Sequence, residues 1–208
     1  MSKKKPTDLT QAEIDEIQAK AITEVEVIAA QVGRILGLSV LPVVTRGPYI
    51  VTPWIQKPNF IRASADAQTI IDKMSESEKT RETVGQYLLA DPDRHGGNFL
   101  VDKEAGKIYD IDLGGSFKGN DAGGTVGTNA FVQMAYRIYG GKGRWNFSAK
   151  LDRGVLQDLA DKREQVLSLL GPFHFSENMS RRFDIVAKLA KMDEPTLGDF
   201  HELVGGWY

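Results

Sequence analysis

Apolar residues recur in steps of three or four between positions 14 and 35, which is the spacing of one face of a helix. Thr10 is followed three residues later by Glu13, the pattern of a capping box at a helix start. Gly37 stands just past the last apolar position, where helices favour glycine. The pattern therefore predicts one long amphipathic helix that ends at Gly37.

Two short runs rich in β-forming residues follow, at 39–45 and 49–54. The Arg-Gly-Pro sequence at 46–48 between them is typical of a turn, so the two runs predict a β-hairpin. Pro53 has no amide hydrogen to donate to a sheet. We therefore expect the second strand to end near Pro53, and an irregular connection to continue through residues 57 and 58.

The rest of the chain is predicted to be mostly helical, with two short strands and a glycine-rich stretch in its middle. Helical spacing is found at 65–74 and 76–89, with Ser75 as a candidate cap between them. Further along we predict strands at 99–101 and 107–111, a glycine-rich segment at 114–128, and helices at 130–139, 155–170, 177–192 and 197–204. Together these elements predict an α+β fold.

Composition narrows the class of protein. The 208 residues, 41% of them hydrophobic, are enough for one sizeable core, so one compact domain over residues 1–208 is expected. A formal charge of −2 is unlike a chain that grips nucleic acid, and no run approaches the roughly 20 apolar residues of a membrane span. The chain has no cysteine, which excludes disulfides and thiol chemistry. We expect a cytoplasmic or otherwise intracellular protein.

The residues that carry chemistry lie between positions 93 and 114. Asp93 and Asn98 are five positions apart across two glycines, which allow a tight loop. The strand pair after this loop would return the chain to the same place and present Asp112 at its end. Phosphoryl transfer needs a carboxylate at the attacking hydroxyl and oxygen ligands that hold magnesium on the phosphates. Asp93 can take the first role, and Asn98 and Asp112 the second.

This segment resembles the catalytic loop and metal-binding motif of the protein kinase superfamily. The order Asp-Arg-His at 93–95 is similar to the phosphatidylinositol kinase-like and other atypical branches. The resemblance implies an ATP- and Mg²⁺-dependent kinase-like transferase in which Asp93 acts at the acceptor hydroxyl, Asn98 and Asp112 bind the metal, and His95 lies close to the phosphates. It also implies a reduced N-lobe at about 10–55, made of a long helix and a hairpin, and a helical C-lobe at 56–208.

The same resemblance places Trp54 and Ile55 at the adenine-binding hinge, and makes Glu24 the candidate for the helix glutamate that pairs with a phosphate-binding lysine. In the superfamily a glycine-rich flap and a strand bearing that lysine precede the long helix. Here no glycine precedes Gly33, and about nine residues precede the helix. We therefore expect a partner chain or an upstream segment to complete the nucleotide site.

Three functions remain open from the sequence. The first is transfer of phosphate to a protein hydroxyl, which is favoured over a phosphoinositide acceptor because residues 113–128 contain one cation, Lys118. The second is a catalytically inactive kinase-like binding module or regulator. The third is a metal-dependent nuclease built on Asp93, His95, Asp110 and Asp112, which the near-neutral charge disfavours. Nucleotidyl and glutamyl transfer also stay open as outcomes of the first function.

Overall fold

Helices and short strands alternate along the part of the chain that the structure, a computed structural model, describes: residues 10–46, 49–51, 60–62, 65–91, 98–102, 105–117, 130–141, 144–171 and 176–206. In chain order the elements are α1 (Gln11–Leu36), β1 (Val44–Arg46), β2 (Tyr49–Val51), β3 (Phe60–Arg62), α2 (Ala65–Lys73), α3 (Glu76–Leu89), β4 (Phe99–Asp102), β5 (Lys107–Asp110), α4 (Ala130–Tyr139), β6 (Gly140–Gly141), β7 (Arg144–Trp145), α5 (Arg153–Asp161), α6 (Arg163–Leu170), α7 (Ser176–Ala190) and α8 (Leu197–Leu203). The predicted α+β class is confirmed.

The long first helix is confirmed, and its end is fixed by glycine. Gly37 has a φ of 79°, in the left-handed region that suits a residue without a Cβ. Its N–H donates to the carbonyl of Arg34 at 3.0 Å, and the N–H of Leu38 donates to the carbonyl of Gly33 at 2.9 Å. These two bonds form a Schellman motif, which ends α1 and turns the chain back toward α3.

The hairpin is present, but its first strand begins later than predicted. β1 and β2 are antiparallel, with Val44 opposite Val51. The segment 39–43, predicted as part of that strand, instead runs beside β5: Val40 forms a parallel bridge with Asp110, whose N–H donates to the carbonyl of Ser39 at 2.7 Å. Its apolar side chains are buried in the core rather than paired across the hairpin. Pro53 and residues 57–58 lie outside the described residues.

A three-stranded antiparallel sheet in the order β3-β4-β5 carries the two strands that were predicted at 99–101 and 107–111. Phe99 lies opposite Asp110, and Asp102 lies opposite Lys107. The third strand, β3, was not predicted, because three residues are too few to establish an alternating pattern. The strand pair β6 and β7 was missed for the same reason.

The helical predictions hold with one correction. Ser75 caps α3 in a capping box with Glu78, as expected, and α2, α4, α7 and α8 lie within two residues of their predicted bounds. The single helix predicted at 155–170 is wrong. It is two helices, α5 and α6, which meet at Lys162, where ψ is −3° and the N–H donates to the carbonyl of Leu159 at 3.2 Å, the tighter i to i+3 pattern. The ammonium of Lys162 donates to the carboxylate of Asp158 at 2.7 Å, and this bond together with Arg81 holds the pKa of Asp158 below its usual range.

One hydrophobic cluster includes residues from the first helix to the last, and the C-terminal half of α3 runs through it. Among the members of the cluster on α3 are Val84, Leu88 and Leu89, each fully buried. Tyr139 from α4 lies near Thr80 and Thr83 of α3, and burial raises the pKa of its phenol to about 12. None of the helices in the described ranges is long and apolar enough to cross a bilayer.

Two glycines allow α1, α3 and the segment after α1 to approach closely. A Cβ on Gly33 would lie 2.6 Å from Cγ2 of Val40, and a Cβ on Gly85 would lie 2.6 Å from Cδ2 of Leu38. Both distances are shorter than any ordinary contact between carbon atoms. The two glycines therefore leave the space in which the segment after α1 packs against α1 and α3.

We predict that Gly85→Ala destabilises the fold. Overpacking of a buried site costs about 1–3 kcal/mol, whereas replacing glycine by alanine in a helix gains about 1 kcal/mol. In the background Leu38→Ala the clash is removed, so the same substitution should be neutral or stabilising by up to about 1 kcal/mol. Urea unfolding followed by tryptophan fluorescence measures both changes. An equal cost in the two backgrounds would contradict the packing described.

Candidate functional site

The β4–β5 hairpin brings two of the predicted site residues to the same end. Phe99 lies opposite Asp110, and one step beyond this pair the N–H of Ile111 donates to the carbonyl of Asn98 at 3.0 Å. Asn98 thus enters the hairpin where Ile111 and Asp112 leave it. The opposite end, with the turn at 105–106, is a whole strand length away.

The two residues differ in their surroundings. Asn98 is buried, with 4% of its surface exposed, whereas Asp112 is exposed to solvent. The backbone of Asp112 has a φ of 54°, in the left-handed region, where aspartate is better tolerated than most residues. Because of this conformation the chain at Asp112 is not extended, and the alternation of side chains between the two faces of β5 stops before it.

The residues before and after the loop are joined to the end of α3. Ala90 ends α3 with a φ of 48°, and its N–H donates to the carbonyl of Gln86 at 3.0 Å. The N–H of Phe117, a buried residue with a φ of 65°, donates to the carbonyl of Leu89 at 2.8 Å. The turn at 112–117 is therefore fastened to the helix that leads into the candidate catalytic loop.

Backbone strain in the described chain is concentrated here. Ala90, Asp112 and Phe117 are the three non-glycine residues of the described ranges that have a positive φ. A residue held in the left-handed region costs on the order of 1–3 kcal/mol and persists where the surrounding structure enforces it, as at ligand sites and switch regions. All three lie at the start of the candidate loop or in the turn that begins at Asp112.

The neighbouring Asp110 has a different, structural surrounding. Its carboxylate is buried and accepts a hydrogen bond from Nε2 of Gln86 on α3 at 2.7 Å. Its backbone also forms a parallel bridge with Val40, in the segment after α1. Asp110 therefore joins α3, β5 and the segment after α1, and the bond that its carboxylate makes to Gln86 weighs against the nuclease set in which Asp110 would bind a metal.

The other predicted site residues are placed as follows. Glu24 lies on α1 and is exposed. Asp93, His95, Trp54 and Ile55 lie outside the described residues. Their roles stay predictions, and the described residues neither bring them to the hairpin end nor separate them from it.

Sequence reasoning missed a buried carboxylate on α1. Glu26 is 5% exposed, although it lies off the apolar stripe that predicted the helix. The signal was present in the small residues that follow it, since Ala29, Ala30 and Gly33 stand three, four and seven positions later and form a second buried face. A helix that buries small residues beside its apolar stripe also buries the polar residues in line with them.

Asn98 and Asp112 suit magnesium. An amide oxygen and a carboxylate are the hard oxygen donors that Mg²⁺ prefers, and such sites commonly use one or two protein ligands together with phosphates and water. Within the described ranges no group of three His, Cys, Asp or Glu residues could hold a metal ion alone. Two protein donors of this kind fit a magnesium ion that is shared with phosphates and water.

The described part of α1 and the first hairpin supplies little positive charge for phosphates. Among the described side chains of residues 24–51, the basic ones are Arg34 and Arg46, and both are exposed. A cavity of about 190 Å³ lined by Arg81 and Lys107, among others, lies elsewhere, beside the 105–106 turn at the far end of β4 and β5.

Comparison with known proteins identifies no family. No family model matches the chain, and no curated protein matches its sequence. Among solved structures the chain is similar to the Helicobacter pylori proinflammatory kinase CtkA, with 15% identity over 88% of this chain and 87% of that chain and a TM-score of 0.44. At this identity and TM-score the likeness establishes neither a shared family nor a shared activity.

We predict that the strain at Asp112 is measurable as stability. Glycine relieves a left-handed backbone and alanine does not, so Asp112→Gly should be more stable than Asp112→Ala by about 1 kcal/mol. Asp184, exposed within α7, provides the matched control, because there the glycine variant should be the less stable by about 1 kcal/mol. Equal stability of the two Asp112 variants in urea unfolding would contradict the strained conformation.

Proposed function

We propose that this chain is a kinase-like phosphotransferase that uses ATP and Mg²⁺ and acts on a protein hydroxyl. The observation that carries the proposal is the meeting of Asn98 and Asp112 at one end of β4 and β5, among the three strained residues of the described chain. In this proposal both residues bind Mg²⁺. When bound with ATP, the metal neutralises charge on the transferring phosphoryl group.

The remaining roles come from the sequence pattern. Asp93 accepts the proton of the acceptor hydroxyl and orients it, and His95 lies near the phosphates. Trp54 and Ile55 contact the adenine, and Glu24 is the candidate partner of the missing lysine. The exposure of Glu24 and the burial of Glu26 make Glu26 an equally reasonable candidate for that last role.

A second function is favoured by one observation, an exposed apolar face on the first hairpin. Val44 is 57% exposed, Tyr49 71% and Val51 41%. The register places Val44 opposite Val51 and Arg46 opposite Tyr49, so the three apolar side chains lie on the same face of the hairpin. In the described residues no third strand pairs with this hairpin. This face supports the alternative, a kinase-like module that is inactive alone and is completed by a partner chain or an upstream segment.

We predict that the purified chain, incubated with ATP, Mg²⁺ and a mixture of candidate acceptor proteins, adds about 80 Da to an acceptor, the mass of one phosphate. Replacing Asp93 by alanine should lower the transfer rate by about 10²–10⁴-fold, the usual contribution of a positioned base. Asp193→Ala, at an exposed aspartate between α7 and α8, should leave the rate unchanged. Intact-mass spectrometry and radiolabelled ATP measure the product.

The outcomes separate the two functions. Transfer that survives Asp93→Ala would contradict the role given to that residue. A chain that binds Mg²⁺ and ADP but transfers nothing, until an upstream segment or a partner is added, would favour the alternative. A mass gain that differs from one phosphate would identify nucleotidyl or glutamyl transfer instead.

A further inference from the structure

A buried carboxylate lies between the start of the candidate catalytic loop and the turn that follows Asp112. Asp91 is the first residue after the left-handed cap of α3, and 1% of its surface is exposed. In the sequence it precedes Asp93 by two positions. Its side chain lies against the backbone of Gly115, three positions after Asp112.

The contact leaves no room for a side chain at position 115. A Cβ on Gly115 would overlap Oδ1 of Asp91 and would lie 3.0 Å from Cγ and 3.3 Å from Oδ2. The φ of Gly115 is not in the left-handed region. Glycine is therefore required here by the space that the Asp91 carboxylate fills and not by backbone conformation.

The segment around this contact has few ways to adjust. The N–H of Ser116 donates to the carbonyl of Leu113 at 2.9 Å, and the N–H of Phe117 donates to the carbonyl of Leu89 at 2.8 Å. The Phe117 ring is buried in the core cluster. These contacts restrain the C-terminal side of Gly115, so we expect a displacement of Gly115 to reach Asp112.

We infer that Asp91 is a positioning residue, which sets the distance between the C-terminal end of α3, where the candidate catalytic loop begins in the sequence, and the Asp112 turn by filling the space beside Gly115. The inference rests on the proposed function, since the contact fixes the turn that carries the proposed metal ligand Asp112. In this role Asp91 acts on the metal through Asp112. Residues that orient metal ligands in this way typically change metal affinity by about 10–100-fold when they are replaced.

The test is a double-mutant cycle between positions 91 and 115, with Mn²⁺ as the probe metal and ADP present. Electron paramagnetic resonance of free Mn²⁺ gives its dissociation constant, and urea unfolding gives stability. Gly115→Ala should weaken Mn²⁺ binding by about 10-fold or more. In the background Asp91→Ala, which opens the space, adding Gly115→Ala should cost less than about 3-fold.

Gly106→Ala provides the matched control. Gly106 has a φ of 63°, a Cβ added to it would meet no atom within 4 Å, and it lies at the opposite end of the β4–β5 pair. Alanine there should lower stability through backbone strain while leaving Mn²⁺ affinity unchanged. This result separates a loss of positioning from a general loss of stability.

Three other outcomes would contradict the inference. Wild-type affinity in Gly115→Ala, or an equal loss in both backgrounds, would overturn the role of Asp91 while leaving the proposed function intact. If the wild-type chain with ADP binds no Mn²⁺, the proposed function fails and the positioning role fails with it. If Gly106→Ala weakens Mn²⁺ binding as much as Gly115→Ala does, the effect is one of stability and the inference is wrong.

Discussion

The antiparallel pairing of β4 with β5 is the constraint on which the candidate site depends. Because the strands are of equal length and joined by a short turn, the residue before one and the residues after the other must meet. The bond from the N–H of Ile111 to the carbonyl of Asn98 closes this end. A slip of one residue would move every side chain of a strand to the other face and would separate Asn98 from Asp112.

Packing around α3 holds that register in place. Gln86 binds the buried carboxylate of Asp110, and Gly85 lets Leu38 approach closely enough for the next residues to bridge to β5. At the C-terminal end of the same helix, the carbonyl of Leu89 accepts a hydrogen bond from the N–H of Phe117. One helix therefore contacts the strand before Asp112 and the turn after it, which explains how strained residues can persist at this place.

The sequence predicted those parts of the fold that rest on local physics. The helix cap at Ser75, the end of α1 at Gly37 and the two strands around residues 104–106 follow from patterns only a few residues long. The sequence also predicted that Asn98 and Asp112 meet at one end of the strand pair, because two strands joined by a short turn pair as a hairpin.

What the sequence did not predict depends on distant contacts. The segment 39–43 has the composition of a strand, yet it runs beside β5 rather than in the hairpin, since the core buries its apolar residues. Burial of Glu26 and the contact between Asp91 and Gly115 depend on which helices and turns meet in space. No local pattern distinguishes such a glycine from one that serves a turn.

The most direct test of the account is to locate the bound metal by nuclear magnetic resonance. Mn²⁺ added with ADP at low occupancy broadens amide signals with the inverse sixth power of distance, and the two ends of β4 and β5 are separated by about 10–13 Å at roughly 3.3 Å per residue. The account predicts strong broadening at Asn98 and Asp112 and much weaker broadening at Gly106 and Lys107. Equal broadening at both ends, or broadening centred on Lys107, would contradict it.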